Sequence, residues 1–171
     1  LLETLFQLSR LERGMIYLAP ERASLKETLV RAVNGVYLKA NEKHIEIEME
    51  PFEDIKICHD VKWTAEAFAN VIENSVKYSP EGSHVKIRVE PYISYISVEV
   101  EDQGIGVDKE EYVNIFKRFY RGKEAERTVS EGAGVGLYLV RKILEEQGGN
   151  VRVLKSGASG TTFQMVLPKE R

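Results

Sequence analysis

Three stretches of the sequence carry residue types that hold polar ligands. The first is Asn70, Asn74 and Lys77 within FANVIENSVKY, residues 68–78. Spacings of four and three place all three on one face of a helix. Asparagine is a mediocre helix former because its amide competes for nearby backbone groups. Two of them one turn apart therefore need a reason. An amide oxygen can ligate a hard cation such as Mg²⁺, which takes oxygen donors and keeps several waters. A lysine one turn further on suits phosphate. The second stretch is VEDQGIGVD, residues 100–108. Asp102 ends a strand there and can accept a hydrogen bond from an exocyclic amine such as that of adenine. Gly104 and Gly106 let backbone approach a ligand closely or take positive φ. The third is EGAGVGLYLV, residues 131–140. Gly132, Gly134 and Gly136 alternate and run into a helix, whose free N–H groups and positive dipole end attract an anion. It is neither the GxGxxG fingerprint nor a P-loop, which needs a following Lys-Ser/Thr. Taken singly, the same residues also suit a solvated helix face, an ordinary Asp-Gly turn and a flexible hinge.

The elements that must position these residues follow from periodicity. Leu1, Leu5, Leu8, Leu11, Met15 and Leu18 form one apolar stripe at spacings of three and four. That is close to a heptad seam, so a helix over 1–18 either pairs with a partner or packs on its own domain. Pro20 ends it. Ser24 and Glu27 form a capping-box pattern that opens a second helix to about Ala40, with Leu25, Leu29, Ala32, Val33 and Val36 inward. HIEIEME (44–50) and DIKICHD (54–60) alternate as strands do. Asp60 or Thr64 caps the helix of the first stretch, which buries Ala67, Phe68, Val71, Ile72 and Val76 and stops at the turn Pro80-Glu81-Gly82. VKIRVE (85–90) and YISVEVED (95–102) are two further strands. Asp108 and Glu111 predict a short helix to about Phe119. Residues 121–132 are a polar loop of unusual length for a compact domain. A helix from about Val135 to Gln147 stops at Gly148-Gly149, and VRVL (151–154) and TTFQMVL (161–167) close the chain. The order predicts an α+β fold: a two-layer α/β sandwich whose mixed sheet carries helices on one face.

Bulk properties narrow the function. A chain of 171 residues can bury one real core. The formal net charge of −3 carries no nucleic-acid footprint. Cys58 is the single cysteine, which excludes an internal disulfide and a cysteine-rich zinc site and fits a reducing compartment. No apolar run approaches the ~20 residues of a membrane helix. The chain opens on LLETLF without Met or a signal peptide. We expect a fragment, with room upstream for a membrane anchor.

In combination and in this order, Asn-x-x-x-Asn-x-x-Lys-Tyr, Asp-x-Gly-x-Gly, FKRFYR and Gly-x-Gly-x-Gly-Leu resemble the catalytic, ATP-binding domain of sensor histidine kinases. That family belongs to the GHKL superfamily with its Bergerat fold, and the likeness runs over nearly the whole chain. LSRLERG (8–14) resembles the end of the dimerisation hairpin, and GTTFQMVLP (160–168) the closing strand. The resemblance implies that residues 1–19 are a C-terminal remnant of the dimerisation and phosphoacceptor hairpin and 20–171 the catalytic domain. It implies ATP and Mg²⁺ as cofactors. Asn70 and Asn74 correspond to the asparagine box, with Asn74 on the metal. Lys77 would reach a phosphate, Tyr78 border the adenine, and Asp102 recognise its amino group beside Gly104 and Gly106. Phe116 and Phe119 match the aromatic box, and Arg118 or Arg121 would reach the terminal phosphate. Residues 121–132 become a lid. Gly132, Ala133, Gly134, Val135, Gly136 and Leu137 run along the phosphates, and Thr161 adds a polar contact at the adenine end. Ala133 stands where threonine is common and Val135 where leucine is, with the glycine spacing kept, so tuned lid contacts are expected.

The reaction is suggested by Asn70. Hydrolytic relatives carry there a glutamate that activates water as general base. An amide takes no proton near neutral pH, which favours transfer to a histidine, nucleophilic when neutral. Asn70, Lys77, Arg118 and Arg121 are then the catalytic set, acting by positioning and charge neutralisation. Glu66 and Glu73 lie nearby on the wheel. His44, His59 and His84 are read as structural or solvated, so the phosphoacceptor is expected on a hairpin outside the chain. The resemblance thus implies the catalytic domain of a two-component kinase that donates the γ-phosphate to that histidine. A response regulator would act downstream, the parent would be a homodimer, and this domain cytoplasmic. An ATP hydrolase of the same superfamily, or a non-catalytic nucleotide-binding regulatory module, are the alternatives.

Overall fold

The computed structural model describes residues 6, 9, 10, 17–117 and 136–169. The helix expected over 1–18 lies almost wholly outside the described residues. So do Arg118, Phe119, Arg121, the 121–132 loop, Gly132, Ala133, Gly134 and Val135. The described elements are β1 (Glu21–Ser24), α1 (Leu25–Glu42), β2 (Glu46–Met49), β3 (Lys56–His59), α2 (Val61–Tyr78), β4 (His84–Pro91), β5 (Tyr95–Glu101), α3 (Gly136–Glu146), β6 (Asn150–Gly157) and β7 (Gly160–Pro168).

Alternation in the strands builds one amphipathic sheet. Its order is β2-β4-β5-β7-β6, with β2 parallel to β4 and the other pairs antiparallel. Val85, Ile87, Val98, Val100, Phe163 and Met165 bury one face beneath the helices. Between them, residues of opposite parity make a polar outer face, where Arg88 pairs with Glu99 at 3.3 Å and Glu101 at 3.2 Å. This is the expected two-layer arrangement, and apolar burial on the helix side is its main source of stability. Helix α1 packs on α2, and α2 on α3.

Local chemistry fixes the helix ends. The Ser24 hydroxyl accepts from Glu27 N–H (3.1 Å), the expected cap of α1. Asp60 caps α2: its Oδ1 accepts from Trp63 N–H at 2.8 Å and its Oδ2 from Ala19 N–H at 2.7 Å. At the other end of α2, Lys43 Nζ donates to the carbonyls of Val76 (2.9 Å), Lys77 (3.1 Å) and Ser79 (2.6 Å). A cation there also meets the negative end of the helix dipole. Helix α3 stops at Gly148-Gly149 as expected, with Gly149 N–H donating to Leu144 O at 2.8 Å.

Two expectations need correction. DIKICHD does form a strand, but β3 leaves the main sheet and pairs antiparallel with β1 in a separate two-stranded unit. Alternation shows that a segment is extended and says nothing about its partner. The helix expected from Asp108 is instead two single 3₁₀ turns, Lys109–Glu111 and Asn114–Phe116. The Asp108 side chain makes no capping bond, and its carbonyl accepts the Glu111 N–H at 2.8 Å.

Of the three histidines, His44 and His84 are exposed beside Glu81 and the Glu46/Glu48 pair. His59 is fully buried, with Nδ1 3.0 Å from Ile57 O and Nε2 2.7 Å from Thr28 Oγ1. A carbonyl only accepts, so Nδ1–H donates to it; in the neutral ring Nε2 then accepts, and the single Thr28 hydroxyl proton is shared between it and Ser24 O, 3.2 Å away. Burial pushes the His59 pKa down. The unfolded chain therefore binds more protons between that lowered value and 6.5. Stability present above this window is lost as pH falls through it. Replacing His59 with Gln is expected to flatten the loss of thermal stability between about pH 7 and 5, measured as Tm against pH for both proteins.

Candidate nucleotide site

Helix α2 carries the first stretch in the expected orientation. Ala67, Phe68, Val71, Ile72 and Val76 are buried, and Asn70, Asn74, Lys77 and Tyr78 are half-buried at its opposite margin. The Asn70 amide nitrogen donates to Glu66 O at 2.8 Å, which turns its Oδ1 away from that bond. Gly136, the first residue of α3, lies against that oxygen: a Cβ there would stand 3.2 Å from it. The start of α3, with half-buried Leu137, is thereby brought beside Asn70. Among the described residues Asn74 makes no side-chain hydrogen bond, and Lys77 Nζ sits 5.7 Å from the centre of the Tyr78 ring. Glu73 is drawn toward α1 by an ion pair with Lys39.

The second stretch meets the C-terminal half of α2. Asp102 follows β5 and is 6% exposed. Its Oδ1 accepts from Gly104 N–H at 2.9 Å and Thr161 N–H at 3.0 Å, and its own N–H donates to Thr161 O at 2.9 Å. Burial raises the Asp102 pKa, while the two N–H donors and the nearby Ser75 hydroxyl favour its charged form. Gly104 is required for close approach, since a Cβ would lie 2.7 Å from Tyr78 O. Gly106 has φ +81° and equally little room, with Gly157 O 2.3 Å from a Cβ. These glycines thus admit neighbouring backbone, and Gly106 takes the positive φ that the sequence offered as one reason for a glycine there. Thr161 is buried, its hydroxyl 2.8 Å from Ser156 Oγ, which also accepts Val107 N–H at 2.7 Å. Phe116 lies in the core, edge-on to Phe163 at 6.2 Å.

Around α2, therefore, stand an amide-lined margin, a lysine, a helix N-terminus and a buried carboxylate. Sequence reasoning passed over Ser75 and Ser156. Ser75 interrupts the apolar arc of α2 one turn after Val71, a legible signal. Ser156 matters only through the hairpin that brings β6 to Val107.

Residues 59–171 match the family of histidine kinase-, DNA gyrase B-, and HSP90-like ATPases. The sensor-like histidine kinase SenX3 of Mycobacterium tuberculosis is 31% identical over 143 residues, covering 83% of this chain and 35% of SenX3. The sensor histidine kinase WalK of Bacillus subtilis is 34% identical over 132 residues, 74% of this chain and 21% of WalK. The solved structure of the mycobacterial sensor histidine kinase MprB aligns with a TM-score of 0.77 at 26% identity, over 89% of this chain and 99% of that one. The chain belongs to this family and, within it, to the ATP-binding catalytic domains of sensor histidine kinases. It spans about a third of SenX3 and a fifth of WalK.

The Asp102 clasp also sets a limit on its neighbours. Gly160 has φ +137°, and a Cβ there would stand 1.9 Å from Asp102 O. Gly160→Ala is expected to cost about 2–4 kcal/mol through strain and overlap, read as a lower midpoint in urea unfolding.

Proposed function

We propose that this domain binds Mg²⁺-ATP around α2 and presents its γ-phosphate to a histidine on a dimerisation hairpin. The observation that supports this most is that the turn of a buried, backbone-clasped carboxylate at the end of β5 stands against the C-terminal end of α2, the helix whose margin is lined by amides. Asp102 accepts from the exocyclic amine of adenine, Tyr78 borders the base, and Thr161 lies at the same end. Lys77 neutralises phosphate, and Gly136 and Leu137 open the helix whose N–H groups face it. Gly132, Ala133, Gly134 and Val135 continue that loop, and Arg118, Phe119 and Arg121 belong to the lid side.

The residues present fit a hard cation. The Asn74 amide has no described hydrogen-bonding partner and is an oxygen donor, and Asn70 Oδ1 is left free of the Glu66 bond. Asn74 would hold Mg²⁺, which offsets phosphate charge when bound. Asn70 orients the site without taking a proton, so water gains no general base from it and phosphoryl transfer is favoured over hydrolysis. Glu73, paired with Lys39, is drawn away from that task. Glu66 remains one turn from Asn70.

The parent protein would supply the rest. Residues 1–19 would be the end of its phosphoacceptor hairpin, the parent a homodimer, and a response regulator the next acceptor. No helix among the described residues is long and apolar enough to cross a membrane. We place this domain on the cytoplasmic side of a parent that an upstream segment can anchor.

The test supplies a hairpin bearing the acceptor histidine together with Mg²⁺-ATP. Acid-labile phosphate should appear on the hairpin and none on this chain. Asp102→Asn should weaken ATP binding about 10- to 100-fold, the loss expected for a hydrogen bond to a charged group. A silent hairpin despite tight ATP binding would support a regulatory module. Steady phosphate release that disappears in Glu66→Gln would support a hydrolase.

A further inference from the structure

The chain enters the domain through a junction without slack. Leu18 packs against the core. The Ala19 N–H donates to Asp60 Oδ2 at 2.7 Å. Pro20 has its φ fixed by its ring. Glu21–Ser24 then pair with β3, Glu21 standing opposite His59. Packing, a hydrogen bond, a ring and a ladder thus follow one another from residue 18 to residue 24. A hinge needs a few residues whose φ and ψ can change, and this junction provides one only if a hold is released.

The holds are unequal. Asp60 is 6% exposed. Its N–H donates to Oε1 of buried Gln147 at 2.8 Å, and its carbonyl accepts Thr64 N–H at 2.9 Å. Its Oδ1 accepts the N–H of buried Trp63 at 2.8 Å. These bonds lie inside the fold. Oδ2 serves the incoming chain, and there the donor residue Ala19 is exposed, as are Tyr17 and Pro20. Water can take over that bond at small cost. The neighbouring anchor, Leu18, is half-buried. One carboxylate therefore makes a standing bond with one oxygen and an exchangeable bond with the other.

We propose that Asp60 is a releasable latch. With the Ala19 bond closed, the segment before Leu18 leaves the domain in one direction. With it open, residues 18 and 19 become the hinge about which that segment swings. Opening leaves α2 capped, because Oδ1 and the backbone of Asp60 stay engaged. The use of such a latch rests on the reading of residues 1–19 as the end of a phosphoacceptor hairpin. A domain joined to that hairpin without slack presents its nucleotide in one pose, and release allows others. The latch itself needs neither hairpin nor nucleotide, so its failure and the failure of that reading are distinguishable.

Amide hydrogen exchange of the whole chain, followed by NMR, tests it without any substitution. Ala19 should exchange about 10- to 100-fold more slowly than an unprotected amide, the worth of a hydrogen bond to a charged group. It should exchange at least about 100-fold faster than Trp63, which the same carboxylate holds. Asp60→Asn separates the two bonds. Asparagine caps a helix as well as aspartate does, but its amide nitrogen donates where Oδ2 accepts, so the Ala19 tie is lost. Chymotrypsin should then cut after Tyr17 about 10- to 100-fold faster than in the unmodified chain. Cleavage elsewhere should be unchanged and Tm should stay within about 2 °C. Exchange of Ala19 at the Trp63 rate would overturn the proposal, by making the bond part of the core. An unprotected Ala19 would overturn it by leaving no bond to release. So would an unchanged cut at Tyr17, or a speed-up shared by every cleavage site, which would mark Asp60 as a helix cap alone.

Discussion

A carboxylate at the end of β5 is held inside the protein by two backbone N–H groups, and the site is arranged around it. Asp102 is nearly inaccessible, so its charge is costly. The N–H groups of Gly104 and Thr161 offset part of that cost and fix where the carboxylate points. They come from two places, the turn after β5 and the start of β7, so the clasp also sets the separation of those strands. Gly104 and Gly160 provide the room, one against Tyr78 O and the other against Asp102 O. A carboxyl so held is an acceptor of fixed orientation, which the proposed recognition of an amine requires.

Helix α2 is the second fixed element, and both its ends are tied. Asp60 closes its N-terminus and simultaneously holds the chain entering the domain at Ala19. Gln147, buried after α3, accepts Asp60 N–H at 2.8 Å and donates to Thr64 Oγ1 at 2.9 Å. Lys43 closes the C-terminus next to Lys77 and Tyr78. Hydrogen bonds to charged groups are worth about 1.5–3 kcal/mol each where partly buried, enough to hold α2 in register. The half-buried amides therefore sit on a rigid support, and α3 is docked against it at both ends, through Gln147 and through Gly136.

Much of this was legible in residue types and spacing. The Ser24 cap, the apolar arc of α2 and the alternation in β2, β4, β5, β6 and β7 each record a local preference that the fold satisfies. β1 was hidden, because Glu-Arg-Ala-Ser has no apolar alternation and becomes a strand only by pairing with β3. The turns after Asp108 were misread for a different reason. Asp108 and Glu111 have capping-box spacing, but backbone hydrogen bonding closed a 3₁₀ turn first. In the site, Asp102, Asn70, Asn74 and Lys77 stood out by type. Ser75 stands out only as a break in the apolar arc, since the Asp102 carboxylate near it comes from another element, which no local pattern encodes. Gly106 takes the positive φ that its type suggested, and the close approach at Gly104 is to the backbone of Tyr78.

The central claim is that the buried carboxylate reads an amine on a purine. Titrating Mg²⁺-ATP and Mg²⁺-inosine triphosphate separately into the chain tests it most directly, because the two differ at the position where ATP carries its amine and the inosine nucleotide an oxygen. The account predicts measurable heat with ATP and binding weaker by at least about 10-fold with the inosine nucleotide. Equal affinity for the two, or no binding of either, would contradict it.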